Sequence, residues 1–518
     1  MQPSHNKTVL TTHGLLYMLA FGVYLLLVSS LLFTEGSTGI RGMENAVRAK
    51  FIVSQSTAEF RTMDLAMDNR DYMPLGYWIE GQLMRLMGDS YLFEKLFSAV
   101  MFALSIFLMV RIWILLGKGW RTSWIPVAFL VLSPVMARAS TQNLFELPLM
   151  VCGMLAFCSF YRVYLYRQKW TRWNAEHPDL PPKDMRLVCI SLSCAGGLWL
   201  VVCFFIKGFA TVYLNLIPFV IWAFGRKDVA GSPWRNVCLT ATFSTLIITL
   251  LCLFSPLIRQ VTWEFLQTKI AIWSHPKIAL GNLSLAWYGI RQAGVAYFAM
   301  LAVWVYAIIN GGYLKRMAYW RHRDELSATE YANIQSAYRF FTIAILGLIP
   351  MVMSAQPQDY YVIPLMPWVV LGCACVVNDY VVQLVERSVT AVNVLLSVVA
   401  IGALTAGMVL NYNNIAKIGH DTDVVSDLHE MDPYLKDGQV VSVTPEVYDD
   451  LKARVYFLRY KSLTFDTLLT HNYLITTLNN LDNISAPVRY KQKKINTTKY
   501  HLYEATYMDD WTAGEWSF

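Results

Sequence analysis

Charge is scarce in this sequence. Of 518 residues, 15% are Asp, Glu, Lys or Arg and 55% are hydrophobic, where a water-soluble domain carries about 25% charged residues. An ordinary soluble globule is excluded. Cysteine is missing from both ends of the chain. All nine lie between Cys152 and Cys375, within or at the edges of apolar runs. No disulfide framework or zinc-ligand spacing is present, so each reads as a small hydrophobe. There is no Gly-rich phosphate loop, no low-complexity tract and no internal repeat. The missing repeat argues against a secondary transporter, whose halves often echo each other. The first apolar run, Leu15–Phe33, is long for a signal peptide and lacks a small-x-small cleavage site. It reads as a retained span.

What the chain has instead is apolar sequence gathered into runs. A helix of about 18 apolar residues crosses the hydrocarbon core. Eleven segments qualify as spans, near 15–33, 92–116, 123–137, 147–166, 187–206, 209–225, 236–258, 294–313, 340–356, 361–382 and 389–411. The third and ninth are short, as tilted or broken helices are. With room for two more short spans, the expectation is about 11–13 transmembrane helices.

The net charge of +7 is divided by side of the membrane and is no sign of nucleic acid. With the N-terminus in the cytoplasm, the inner loops carry Lys118, Arg121, Arg167, Lys169, Arg172, Lys183, Arg186, Arg226, Lys227, Arg235, Lys315, Arg316, Arg321, Arg323, Arg339 and Arg387. The outer loops carry chiefly Arg138, Lys207, Arg259, Lys269, Lys277 and Arg291. The bias places residues 34–91, 259–293 and 412–518 on the outer face of a multi-pass protein of the cytoplasmic (inner) membrane.

Composition shifts near Asn413. "GQVVSVTP", "SLTF", "YLITT" and "YHLYEAT" read as short strands, and Pro445 to Tyr460 reads as a helix. A membrane domain, 1–411, is thus followed by a small α/β extracytoplasmic domain, 412–518.

The first outer loop, 34–91, holds two amphipathic helices. After Pro74, the residues Leu75, Trp78, Ile79, Leu83, Leu86 and Met87 form one stripe, with Glu80 and Arg85 off it. Proline suits a first helical turn. Gly88-Asp89-Ser90 ends this helix and caps the next span. Earlier, Met43, Val47, Phe51 and Ser54 share a face, and Glu44 and Arg48 lie on another. Both read as interfacial helices with an apolar face toward lipid. Anchoring the loop is the plain alternative to a site role.

The chain resembles the aminoarabinose-transferase and protein-mannosyltransferase superfamily, integral-membrane glycosyltransferases of the GT-C fold. Gly42-Met43-Glu44-Asn45 stands where that family has an acidic pair after the first span. Pro74-Leu75-Gly76-Tyr77-Trp78 stands for its "P-x-x-x-Y-W" helix, and Gly88 through Lys95 leads into span two. Glu146-Leu147-Pro148-Leu149 resembles Asp-x-Pro-Leu at span four. Lys207-Gly208 resembles the family's outer Lys-Gly turn, and Asp359-Tyr360-Tyr361-Val362-Ile363-Pro364-Leu365 resembles "Y-Y-L-L-P". The resemblance covers roughly residues 10–385. It departs at Met43, where the family has Asp, at Met73, where it has Lys, and before Tyr360, where Gln356 and Gln358 replace a basic residue.

The resemblance implies an inverting transfer of sugar from a polyprenyl-phosphate carrier to an outer-face acceptor. The acceptor is a lipid A-like glycolipid, another envelope glycan or a protein. Such chemistry needs a carboxylate for the acceptor hydroxyl and cations for the leaving phosphate. It needs no nucleotide and no metal; lone His275 is a plain polar residue on this reading. Glu44 is the first candidate carboxylate, or else a solvated helix residue. Glu35, Asp64, Asp68 and Asp71 are substitutes. Glu146 is a second site carboxylate or a helix-start acid. Lys207 binds the carrier phosphate or snorkels to the interface. Arg70, Arg138 and Lys95 are further phosphate candidates, although Glu94 and headgroups would also satisfy Lys95. Tyr77, Trp78, Tyr360 and Tyr361 line the cavity; for the last two an aromatic belt is the alternative. Asn282 and Asn496 are glycosylation sequons by pattern alone.

Two rivals stand. A flippase of lipid-linked sugars requires mid-span charges and paired broken helices, and neither is prominent. A non-catalytic envelope-biogenesis scaffold derived from a transferase is kept open by Met43 and Met73.

Overall fold

The computed structural model describes residues 3–35, 40–54, 75–88, 91–177, 185–225, 233–256, 283–309, 328–352, 358–386, 390–415, 417–419, 421–479 and 488–506, with isolated positions between 259 and 267 and at 481. Helices run in the order α1 Pro3–Leu27, α2 Ile40–Ser54, α3 Leu75–Met87, α4 Tyr91–Leu115, α5 Trp124–Val131, α6 Pro134–Ala139, α7 Glu146–Glu176, α8 Arg186–Lys207, α9 Ile217–Ala223, α10 Pro233–Phe254, α11 Leu283–Gln292, α12 Gly294–Ile309, α13 Ala328–Val352, α14 Met366–Glu386 and α15 Thr390–Asn413. Among the described residues, six helical stretches are long and apolar enough to cross a membrane, and four shorter apolar helices accompany them. Ten of the eleven expected apolar segments carry such a helix. The remaining one, 123–137, is broken into α5 and α6 at Ser133-Pro134, because proline interrupts the hydrogen-bond ladder.

The bundle closes on itself through its first and last spans. A Cβ at Gly22 would sit 2.6 Å from the Leu404 backbone nitrogen, and one at Gly407 would sit 2.6 Å from Leu25 Cβ. Glycine lets two lipid-embedded backbones approach this closely. Asn411 Nδ2 donates to the Leu25 carbonyl at 2.8 Å, and Asn414 Nδ2 to that of Ser29 at 2.8 Å. The chain that leaves α15 therefore emerges beside the end of α1. Glu35 accepts from Gly419 N and donates to the Lys417 carbonyl there, in a parallel bridge.

Beyond α15 lies a five-stranded sheet of order β2-β1-β3-β5-β4, with β1 Val440–Val443, β2 Thr464–Asp466, β3 Tyr473–Thr476, β4 Arg489–Gln492 and β5 His501–Thr506. β1 is parallel to β2 and β3, while β5 runs antiparallel to β3 and β4. The four expected strands are present; β4 and helix α16, Thr422–Met431, are additional. The single helix expected over 445–460 is two, α17 Pro445–Asp449 and α18 Leu451–Lys461. Asp450 breaks it. Its carboxylate accepts from Lys452 N and Ala453 N, a local bond that competes with helix continuation.

The two amphipathic loop helices meet different surroundings. On α3 the apolar stripe does face outward, with Trp78, Leu86 and Met87 exposed. The apolar side of α2, expected against lipid, meets protein. Met43 and Val47 are 1% exposed and join the core of the sheet domain beside Val424, Leu428 and Val455. Ala46 and Ala49 pack on Met84, Phe93 and Phe97. Small and apolar residues on two adjoining faces let α2 wedge between bundle and domain. A buried ion pair, Glu94 with Arg459 at 2.7 Å, clamps the same junction.

Candidate active site

The wedge helix points Glu44 into a cleft at the end of the bundle that carries the sheet domain. The cleft has a volume of about 490 Å³ and is lined by Arg41, Gly42 and Glu44 of α2, by Gln142 and Leu144 before α7, by Tyr360, and by Leu451 of α18. Residues 43 and 44 are one helical step apart and face different ways. Met43, at the position where the resembled family has an acid, therefore packs into the sheet domain, and Glu44 lines the cleft. Glu44 is 4% exposed, and its carboxylate accepts from Arg41 Nη1 at 2.7 Å. The i,i+3 spacing of this pair is visible in the sequence, yet Arg41 is absent from the expected site.

Tyr360 links Glu44 to the second half of the site. Its ring centroid lies 5.5 Å from Lys207 Nζ, and that of Tyr361 lies 5.1 Å from the same atom. The two rings meet edge to face at 5.1 Å. Lys207 Nζ also reaches Glu146 Oε1 at 2.5 Å. Glu146 comes from the first turn of α7 and Lys207 from the last residue of α8. The chain turns sharply after Lys207 because Gly208 adopts φ 66°, ψ −135°, a backbone region that is essentially glycine-only. Four candidates chosen from separate stretches of sequence thus converge: Glu146, Lys207, Tyr360 and Tyr361. The ion pair is nearly dry, with side chains 11% and 2% exposed, and its internal charges balance.

Two further cations act on the neighbouring Tyr288. Arg138, at the end of α6, and Arg291, in the last turn of α11, are exposed and lie within electrostatic range of Tyr288 together with Asp359. Among the described residues neither forms an ion pair. Arg138 was expected; Arg291 was read only as an outer-loop charge.

Other candidates have different places. Lys95 is 3% exposed and donates to the Leu31 carbonyl at 2.7 Å, to the Thr34 carbonyl and to Thr34 Oγ1. Its three donors are used in tying α4 to the end of α1. Trp78 is 51% exposed on the outward stripe of α3 and does not line the cleft. Tyr77 lies inside, with its ring 4.7 Å from that of Phe145. Glu35 pairs with His429 at 2.8 Å. Arg70, Asp64, Asp68, Asp71, Met73, His275 and Asn282 lie outside the described residues.

A buried polar cluster beneath Glu44 was not expected. Glu80, fully buried, accepts from Asn143 Nδ2. Asn143 Nδ2 also reaches the Gly42 carbonyl at 3.4 Å, and the Asn143 carbonyl accepts from Asn45 Nδ2 at 2.8 Å. The available signal was a charged residue on the side of α3 opposite its apolar stripe.

The fold is similar to that of solved structures. The chain superposes on ArnT from Cupriavidus metallidurans bound to undecaprenyl phosphate, with a TM-score of 0.54 and 12% identity over 93% of this chain and 96% of that one. The apo state of that protein gives a TM-score of 0.54 at 10% identity over 94% and 96%. The Archaeoglobus fulgidus oligosaccharyltransferase, in its complex with Zn and sulfate, gives 0.43 at 12% identity over 89% and 68%. No family model matches the chain, and no curated protein matches it in sequence. The fold is that of ArnT, a GT-C membrane fold with a C-terminal sheet domain, carried by a very different sequence.

Proposed function

We propose that the chain is an integral-membrane glycosyltransferase that moves a sugar from a polyprenyl-phosphate carrier to a hydroxyl-bearing acceptor. The observation that carries this reading is the cleft of about 490 Å³ in which the Glu44 carboxylate and Tyr360 share one wall, with the Lys207–Glu146 pair against the same tyrosine. A carboxylate lines the cleft and the Lys207 ammonium lies against its Tyr360 wall, which supports a displacement at a sugar carbon with phosphate as the leaving group.

Glu44 takes the proton of the acceptor hydroxyl. That oxygen attacks the anomeric carbon, and the bond from this carbon to the phosphate oxygen breaks. The polyprenyl phosphate leaves with the electron pair, and the sugar configuration inverts. Arg138 and Arg291 hold the phosphate charge. Lys207 contributes donors while Glu146 keeps it in place. The step uses no metal ion and no nucleotide. The sheet domain roofs the acceptor side through Leu451. The charge bias of the loops supports an outer-face location on the cytoplasmic membrane, with an envelope glycolipid, glycan or protein as acceptor.

The test is transfer of label. Purified protein in lipid is given a panel of radiolabelled polyprenyl-phosphate sugars and an envelope extract. Wild type moves label off the carrier, and Glu44→Gln slows this by about 10²-fold or more. Absence of transfer from every donor by folded protein, or full activity in the variant, refutes the reading.

A further inference from the structure

We propose that Glu80, acting through Asn143, is the positioning residue that holds Glu44 in register with Glu146. This rests on the catalytic role proposed for Glu44.

The contacts bracket Glu44. Asn143 reaches the residue two before it, through the Gly42 carbonyl, and the residue just after it, through Asn45 Nδ2. Asn143 itself stands three residues before Glu146, in the connection that launches α7. One asparagine therefore joins the turn of α2 that carries the first carboxylate to the helix start that carries the second. A second route supports the same turn: Arg48 Nη1 donates to Tyr77 Oη at 3.3 Å, and Tyr77 Oη donates to Asn45 Oδ1 at 3.5 Å.

Glu80 gives Asn143 its orientation. An amide side chain has a donor end and an acceptor end. A carboxylate only accepts, so it selects the donor end of Asn143, and that same nitrogen then faces the Gly42 carbonyl. Glu80 is fully buried and takes no part in lining the cleft. Packing alone gives no reason for a carboxylate there, since burying one is costly unless it is hydrogen-bonded. The Asn143 amide is one of the donors that meet it. Misplacing a reacting group by about 1 Å costs on the order of 100-fold in rate, which is the scale at which this tie acts.

The experiment combines transfer kinetics with amide hydrogen exchange over residues 41–48, on the full chain in lipid. Glu80→Leu removes the acceptor, Glu80→Gln keeps a carbonyl for Asn143, and Asn143→Asp keeps the shape while setting two carboxylates together. Glu80→Leu and Asn143→Asp are expected to lower kcat on the order of 100-fold with little change in acceptor KM, and to speed exchange in the 41–48 peptide. Glu80→Gln retains most of the activity and the protection. In a Glu44→Gln background, Glu80→Leu slows transfer no further. Additive losses in that background, or unchanged kcat and exchange in both disruptive variants, overturn the proposal. If Glu80→Leu fails to fold, Asn143→Asp decides by the same readouts. If Glu44→Gln itself transfers normally, the catalytic role of Glu44 fails. Exchange then decides the tie alone: faster exchange in Glu80→Leu but not Glu80→Gln upholds it, and equal protection refutes it.

Discussion

Removing the arginine of the Glu94–Arg459 pair should loosen the sheet domain from the bundle by a predictable amount. The charges approach to 2.7 Å, with side chains 7% and 5% exposed. At that distance, with an effective dielectric constant of about 20, the attraction is about 6 kcal/mol before desolvation is counted. Deleting one partner of such a buried pair costs about 3–5 kcal/mol, because the other charge is stranded, whereas replacing both by apolar residues is often neutral. Arg459→Met should therefore destabilise the junction by about 3–5 kcal/mol, and Glu94→Leu/Arg459→Met should recover most of that. Hydrogen exchange in α18 measures the opening directly. About 1.4 kcal/mol is a tenfold change in population, so α18 amides that exchange by opening of this junction should speed up by 10²-fold or more. Buried thiols at Cys152, Cys203 and Cys373 offer a parallel reading: a thiol-reactive dye should show the transmembrane bundle unaffected while α18 opens. If the coupling between the two positions is below about 1 kcal/mol, the pair is a surface-like contact and the clamp reasoning is wrong.

Three further outcomes follow from the same structure. Lys207→Met should destabilise the bundle by about 3–5 kcal/mol, and Lys207→Met/Glu146→Gln by much less; thermal unfolding followed by thiol exposure distinguishes them. Gly208→Ala should cost about 1–3 kcal/mol from backbone strain at φ 66° and slow transfer by shifting Lys207; equal stability to wild type would refute the strain. Burial acts to raise the Asp450 carboxyl, but Lys499, Tyr500 and the Ala453 amide outweigh it and hold its pKa below 3.8. A carboxylate depressed in the folded state adds stability that is present above pH 3.8 and lost as pH falls through the lower folded value. Acid melting of the sheet domain should therefore lose part of its pH dependence below about pH 4 in Asp450→Asn; an unchanged profile would count against the assignment.

The spans and four of the five strands were readable because periodicity and run length report local burial directly. Partners were not readable. The stripe of α3 and the apolar side of α2 look alike in sequence, yet one is exposed and the other is covered by residues some 400 positions later, such as Val424 and Val455. Lys95 looked like a free cation because its acceptors are main-chain carbonyls, which carry no sequence signal. Asn143 has none either: its importance lies in what its backbone and side chain bracket. The Glu146–Lys207 and Tyr360–Tyr361 groups were visible because each sits at a helix end beside Pro or Gly. Their convergence is a property of the tertiary structure alone.

The double use of α2 governs how this molecule can be divided. Its alternate faces are core for the sheet domain and wall for the cleft. Cutting the chain after α15 would leave Met43 and Val47 bare on the same turn that presents Glu44. A truncated protein that lost activity would therefore say nothing about what the missing domain contacts. The portable unit for exchange with another protein of this fold is α2 together with residues 417–506. A chimera that swaps both must keep a carboxylate at position 44, because α2 brings that residue with it.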